Sequence, residues 1–502
     1  MDIFGNLLMG FSVALTPQNL MFAFLGSVMG TLVGVLPGVG PTAGIAILIP
    51  ITFQLDATGA IIMLAAIFYG SQYGGTITSV LLNVPGEASS AITCVDGYPM
   101  AKQGRAGVAL SIAAIGSFVG GTIATIGLVV AAPPLTRLAL TFGPPEFFGL
   151  MLVGISLMMG LAGKSMAKAL MIGIVGLMLA MIGIDPVRGL PRFTFDRMEL
   201  MDGLDFVPVI MGLFGLGEIL TNAEVRMKPI TEEKMNTLIP TMKDLRDSFW
   251  PVTRGTTIGF LLGLIPGMTN SASSFISYIA EKKTSKYPEK FGTGLIEGVA
   301  GPETANNAHA IGALVPLFAV GIPGSPTVAL LMGAFIINGV IPGPHMFTEH
   351  AHLAWGVIAS LYVGNVMLLI LNLPLVGIWV KVLRIPYSIL FAFILAFMVI
   401  GAYSVNSSVF DVSTMLLFGL IGYGLRKMDF PLAPAVLTLI LGPMMETSLR
   451  ESLDMSQGDF SIFWTRPISA VLIALAFLVC VSPLLRFLPV GRSRVRAMGA
   501  DQ

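Results

Sequence analysis

Cysteine, histidine and charge are all scarce in this chain. Two cysteines, Cys94 and Cys480, stand in different regions with no redox or metal-ligand spacing. Three of the four histidines gather as His345, His350 and His352 beside Glu349. Their spacing is not that of a zinc-protease helix, and Pro342 and Pro344 place them near a loop, so they read as a solvated cluster at a membrane edge. No metal site is assigned. Charged residues make up 11% of the 502 residues, against about 25% in an ordinary soluble domain. The formal net charge is zero, which leaves nucleic-acid binding without an electrostatic footprint. The chain also lacks paired acid/base carboxylates, a nucleophile elbow and a phosphate-binding loop. Gly34-x-x-Pro-Gly-x-Gly has neither the lysine nor the Ser/Thr that a nucleotide motif needs. These absences argue against an enzyme and against energy drawn from ATP bound to this chain, and leave an ion gradient as the expected source.

Apolar sequence is what the chain has in quantity. Hydrophobic residues are 55% of the whole, and the mean hydropathy is +0.85. Apolar runs at 18–36, 56–80, 106–131, 146–163, 169–184, 206–222, 353–375, 385–402, 411–425, 431–446 and 468–488 are read as membrane spans. A span needs about 17 to 25 residues. Broken or re-entrant segments are expected at 37–55, 85–101, 253–281 and 291–340. The fold class is therefore an all-α polytopic membrane protein with about 10–14 crossings. The start, MDIFGNLLMGFSVALTPQNL, has no basic n-region and reads as an amphipathic helix rather than a cleaved signal.

Basic residues alternate between connections. Lys102/Arg105, Lys164/Lys168, the 223–254 segment, Lys282 to Lys290, Lys381/Arg384, Arg426/Lys427 and Arg492/Arg494/Arg496 are expected on the cytoplasmic side. The 185–205 loop is the exception, since Arg188, Arg192 and Arg197 lie among acids, and helix count places it outside. The domain reading is 1–225 as a first membrane half, 226–250 as a cytoplasmic linker, 251–446 as a second half, and 447–502 as an extra helix with a basic tail.

The two halves share phrases. Gly34 to Gly44 reads GVLPGVGPTAG, and Gly263 to Ser273 reads GLIPGMTNSAS. Asn83-Val84-Pro85-Gly86 is echoed by Gly321-Ile322-Pro323-Gly324, and 144–186 resembles 385–431. Equivalent segments assigned opposite sidedness indicate an inverted internal repeat, with a solute site at its interface.

A Pro-Gly break inside hydrocarbon is tolerated where it lines a cavity or packs within protein. Such breaks free carbonyls that coordinate cations and start new helices whose N-termini favour carboxylates. On that reasoning the candidate substrate and ion contacts are Gly38, Thr42, Gly267, Thr269, Asn270, Ser271, Ser273, Asn306, Asn307 and Ser325. Supporting or gating roles are expected for Pro37, Ser71, Gln72, Pro85, Glu87, Ser89, Pro266, Glu303, Pro323 and Gly324. Glu303 suits a cation, while Glu87 repels an anion unless it is paired, protonated or cation-bound. The competing reading is interhelical hydrogen bonding and small-residue packing, or, for 301–309, an interfacial loop.

Taken together, GVLPGVGPTAG at 34–44, the Tyr69-to-Ser90 region, GLIPGMTNSASSF at 263–275 and GPETANNAHAIGALVPLFAVGIPGSP at 301–326 closely resemble the large membrane subunit of the bacterial tripartite tricarboxylate transporters, over almost the full length. The resemblance implies a multi-pass inner-membrane permease that works with a small four-helix membrane subunit and a periplasmic solute-binding protein. It implies uptake of citrate or another organic carboxylate, no cofactor, and a coupling cation that is most simply Na+. The alternatives are a stand-alone ion-coupled carrier and a channel, whose filters also use broken hairpins.

Overall fold

The computed structural model describes residues 3–36, 38–161, 165–185, 189–224, 238–383 and 387–481. Over their described residues the expected spans are largely helical, and among those residues six helices are long and apolar enough to cross a membrane: Pro17–Val35, Ala57–Leu82, Thr93–Ala139, Phe206–Ala223, Ala351–Asn372 and Val409–Lys427. Among the described residues the only paired strands are Gly183–Ile184 and Pro191–Arg192. The chain is an all-α polytopic membrane protein.

Packing divides it into two compact units. One comprises Met1–Leu140 and Val207–Arg426; the other comprises Thr141–Phe206 and Lys427–Gln502. This is a division by contact, whereas the expected halves are a division by repeat.

The repeat lies inside the first unit and is carried by backbone contact. The Pro17–Val35 helix lies against Ala57–Leu82 through Gly26, Gly30 and Gly34. A Cβ there would come within 2.4 Å of the Met63 carbonyl oxygen, 2.5 Å of Ile67 and 2.2 Å of Ser71. The Met242–Gly263 helix repeats the arrangement against Glu297–Gly312. A Cβ at Gly255, Gly259 or Gly263 would come within 2.4 Å of the Gly301 oxygen, 2.2 Å of Ala305 and 2.6 Å of His309. Small residues at every fourth position let helix backbones touch in a bilayer. The hairpin ends also match: Ala57–Leu82 is capped by left-handed Asn83 (φ 55°), and Leu314–Val320 by left-handed Gly321 (φ 83°).

The two buried counterparts, Ala57–Leu82 and Glu297–Gly312, meet each other antiparallel. Thr76 donates to Glu303 at 2.5 Å. Earlier on the first helix, Gln72, with its amide turned to donate, lies 2.8 Å from the later Asn306. Rising numbers on one helix face falling numbers on the other, which is the geometry of an inverted repeat.

Connections expected on one membrane face also meet. Arg105 pairs with Asp244 at 2.5 Å. Asp96 accepts three backbone N–H bonds, from Gly292, Gly294 and Leu295, each at 2.9 Å, and a fourth bond from Tyr278 at 2.8 Å. Burial opposes ionisation of Asp244, yet the Thr241 hydrogen bonds and the Arg105 charge hold its carboxyl below the usual range. Of the segment expected as a linker at 226–250, residues 226–237 lie outside the described residues, and the chain is helical from Met242 onward. Thr241 and Asp244 form a capping box that starts the helix there, so its first turns are polar while its later turns are apolar.

In the second unit, Pro144–Leu161 packs on Pro467–Val481, and Met166–Ala180 on Ala433–Met455. The acids around Arg192 pair it: it bonds Glu446 at 2.8 Å, and Arg450 bonds both Glu446 (2.6 Å) and Asp185 (2.9 Å).

Candidate substrate cavity

Each Pro-Gly break is built the same way. Gly38 and Gly267 adopt φ of 83° and 87°, a left-handed conformation that glycine reaches without strain. Gly38 N–H donates to the Gly86 carbonyl at 3.4 Å, and Gly267 N–H donates to the Gly324 carbonyl at 2.9 Å. The break of each half is thus pinned to the hairpin of the same half. Pro266 and Pro323 belong to these turns, and Pro37 lies outside the described residues.

Beyond the breaks, new helices start. Pro41–Leu48 begins at Gly40, with proline in its first turn. Asn270–Thr284 begins at Thr269, whose side chain accepts from Ala272 N–H. Pro326–Ile337 begins at Ser325, which accepts from Val328 N–H. The starts then reach across the repeat: Thr42 and Thr327 hydroxyls are 2.7 Å apart. Their counterparts, Ser271 and Ser89, border the same space.

That space is a cavity of about 460 Å³, within the range of small-molecule sites. The first residues of all three helices line it, as do Gln72, Pro85 to Ser89, Phe214, Glu218 and Arg426. Three helix N-termini pointing into one cavity give it a positive bias without a full charge from any of them.

A buried polar layer backs the cavity. Asn270 donates to Asn306 Oδ1 at 3.2 Å, and Asn306 donates to Glu87 Oε1 at 2.8 Å. Ser89 donates to the same carboxylate at 2.5 Å. Glu303, 1% exposed, accepts from Thr76 and Thr93. Both carboxylates are therefore held by neutral donors, and among the described residues no Lys or Arg bonds them.

Of the candidate residues, Gly38, Thr42, Gln72, Pro85, Glu87, Ser89, Thr269, Asn270, Ser271 and Ser325 border the cavity. Gly267, Pro266, Pro323 and Gly324 shape its turns. Asn306 and Glu303 stand behind it, on a helix buried along its length rather than an interfacial loop. Ser273 bonds His309 Nδ1 at 2.7 Å, and Asn307 donates to Ser117 at 2.6 Å. Ser71 bonds the Phe68 carbonyl at 2.7 Å inside its own helix, so its place is in the helix packing. Among the described residues no group of three His, Cys, Asp or Glu forms a metal-ligand cluster; His345 and Glu349 form an exposed pair at 3.3 Å.

Glu218 and Arg426 escaped the sequence reading. Arg426 counts there as a loop cation that sets topology, and the structure places it on the cavity wall. Glu218 is the lone acid of an apolar run, which is a signal for an intramembrane function.

A sequence model of the Tripartite tricarboxylate transporter TctA family matches residues 20–437. An "Uncharacterized 52.8 kDa protein in TAR-I ttuC' 3'region" of Agrobacterium vitis is 48% identical over 495 residues, covering 98% of each chain. An "Uncharacterized protein in TAR-II ttuC' 3'region" from the same organism is 49% identical over 236 residues, covering 47% of this chain and 96% of that protein. No solved structure matches. By the family match over residues 20–437, the chain belongs to the tripartite tricarboxylate transporter TctA family and is a large subunit of such a transporter.

Proposed function

We propose that this chain is the inner-membrane permease of a three-part importer for citrate or a related organic carboxylate. A periplasmic binding protein delivers the substrate, a small four-helix membrane subunit completes the membrane part, and an inward cation gradient, with Na+ as the cation, drives accumulation. The observation that carries the anion reading is the convergence of three helix N-termini, at Gly40, Thr269 and Ser325, on one cavity. Gly38, Thr42, Gly267, Thr269, Asn270, Ser271 and Ser325 are assigned to substrate and ion contact. Asn306, Asn307 and Ser273 complete the polar layer.

Support for cation coupling comes from the two carboxylates and the neutral oxygens around them. Next to Thr76, which bonds Glu303, a small space of about 10 Å³ is bordered by Tyr73, Thr76, Ser117 and Asn372 and by the apolar Ile77, Leu110, Ala113 and Ala114. The buried oxygens Asn372 Oδ1 and Asn307 Oδ1 have no hydrogen-bond partner. A bare cation satisfies such orphaned acceptors and offsets part of the substrate charge. In the cycle we envisage, closure of the opposed broken helices exposes the loaded cavity first outward and then inward.

The test is uptake of labelled carboxylates, citrate included, by proteoliposomes holding this chain and its small partner under an inward Na+ gradient. Accumulation that needs both Na+ and the binding protein supports the proposal. Accumulation without the binding protein identifies a stand-alone carrier. Non-saturable equilibration without accumulation identifies a channel.

A further inference from the structure

Among the described residues the cavity wall carries a single Lys or Arg, and that residue makes an unfinished interaction. Arg426 reaches Glu218 through one long contact, Nη2 to Oε2 at 3.3 Å, where a strong guanidinium–carboxylate pair makes two shorter parallel bonds. Its Nε is buried and has no hydrogen-bond partner. The Phe214 ring lies beneath the guanidinium, 5.7 Å from its carbon to the ring centroid, and steadies its plane. The guanidinium thus keeps donor capacity beyond this one contact, at the wall of the cavity it borders.

Glu218 stands where an anion is expected. It lies one turn from Asn222, and both side chains bear on the first break. Asn222 Nδ2 donates to the Gly38 carbonyl at 2.6 Å. Glu218 Oε1 is 3.8 Å from where a Cβ would sit on Gly40, the residue that caps Pro41–Leu48. An internal carboxylate therefore lies between the start of that helix and the Arg426 guanidinium.

We infer that Arg426 binds one carboxylate of the substrate, and that Glu218 is a built-in competitor which yields the guanidinium to arriving substrate and reclaims it on release. The inference rests on the proposed reading of the cavity as a carboxylate site. It adds a selection rule: one carboxylate engages Arg426 while a second faces the helix starts at Thr269 and Ser325, so the site takes di- and tricarboxylates and refuses monocarboxylates. It also gives Glu218 a kinetic task, because a substrate that holds Arg426 without a rival leaves slowly.

The experiment uses the full chain with its small membrane subunit in proteoliposomes, with the periplasmic binding protein supplied and an inward Na+ gradient imposed, and labelled acetate, succinate and citrate as probes. Wild type is expected to accumulate succinate or citrate and not acetate. Glu218→Gln removes the competitor's charge and keeps its shape; KM should fall about 10-fold and turnover should fall with it. Arg426→Gln should raise KM at least about 100-fold, and Arg426→Lys should restore part of that loss. The double variant should match Arg426→Gln alone, since a competitor without its target has no effect. If Arg426→Gln does not reach the membrane, the opposite KM shifts expected of Glu218→Gln and Arg426→Lys decide the matter. A Glu218→Gln variant with raised or unchanged KM, or acetate transport equal to that of succinate, overturns the inference while the carboxylate reading stands. Failure of wild type to take up any of the three probes overturns both.

Discussion

The two Pro-Gly breaks have one backbone and two chemistries. Both glycines are left-handed, both are pinned to the hairpin of their own half, and both follow a helix packed through three glycines. The side chains then diverge. After the first break, the helix start at Gly40 has no side-chain cap and adds the hydroxyl of Thr42. After the second come Thr269, Asn270, Ser271, Ser273 and Ser274, and the helix behind them carries Glu303, Asn306, Asn307 and His309. At the positions equivalent to Glu303 and Asn306, the first half has the apolar Ala65 and Phe68. Conversely, the charge at Glu87 is a serine, Ser325, in the second half, and each is the N-cap of its segment. Backbone symmetry provides two equivalent closed ends, and side-chain asymmetry decides what is bound between them.

The largest effect is expected where the halves are alike. Gly34→Leu and Gly263→Leu each drive a side chain into a carbonyl oxygen of the partner helix. Overpacking costs about 1–3 kcal/mol and more where backbone must move, so both variants should lose the monodisperse peak on size-exclusion chromatography, to a similar extent. A loss confined to one half would break the comparison.

Next comes a change where they differ. Glu303→Gln should cut Na+-dependent uptake about 10- to 100-fold at normal membrane abundance, the worth of hydrogen bonds to a charged group. Ala65→Ser, at the equivalent position, should leave uptake within about twofold, because surrounding polar partners are few. Equal effects would show that position, rather than charge, matters.

Asn270→Ala removes the two hydrogen bonds to Asn306, both 3.2 Å. Each bond is worth about 0.5–1.5 kcal/mol, so uptake should weaken about 5- to 10-fold with the protein still in the membrane. Unchanged uptake and Na+ dependence would remove Asn270 from the site. The smallest effect is expected for Thr42→Val, which gives up one hydroxyl contact with Thr327. A two- to fivefold rise in KM (roughly, from the worth of one neutral hydrogen bond) should appear, matched by Ser271→Ala if the two crossings are equivalent.

Much of the fold was legible because long apolar runs have few alternatives to a membrane helix. The runs at 18–36, 56–80 and 411–425 correspond to Pro17–Val35, Ala57–Leu82 and Val409–Lys427. The breaks were legible because Pro and Gly act locally on the backbone. The helix beginning at Met242 was readable from its capping box, but the polar stretch before it suggested a linker. What no local pattern encodes is tertiary pairing. Thr93 reaches Glu303 across 210 residues of chain, and Arg426 turns to a cavity although its neighbours in sequence mark a membrane edge. Both 144–186 and 385–431 resolve into helix pairs over their described residues, Pro144–Leu161 with Met166–Ala180 and Tyr387–Asn406 with Val409–Lys427.

The crossing of Thr42 onto Thr327 has a consequence for biosynthesis. The first break leaves the ribosome early, yet its intended neighbour is almost three hundred residues behind it (285 in the chain). Until Pro326–Ile337 is inserted, the amides at the start of Pro41–Leu48 have no finished wall to face. The nascent chain therefore carries no complete cavity wall for more than half of its synthesis.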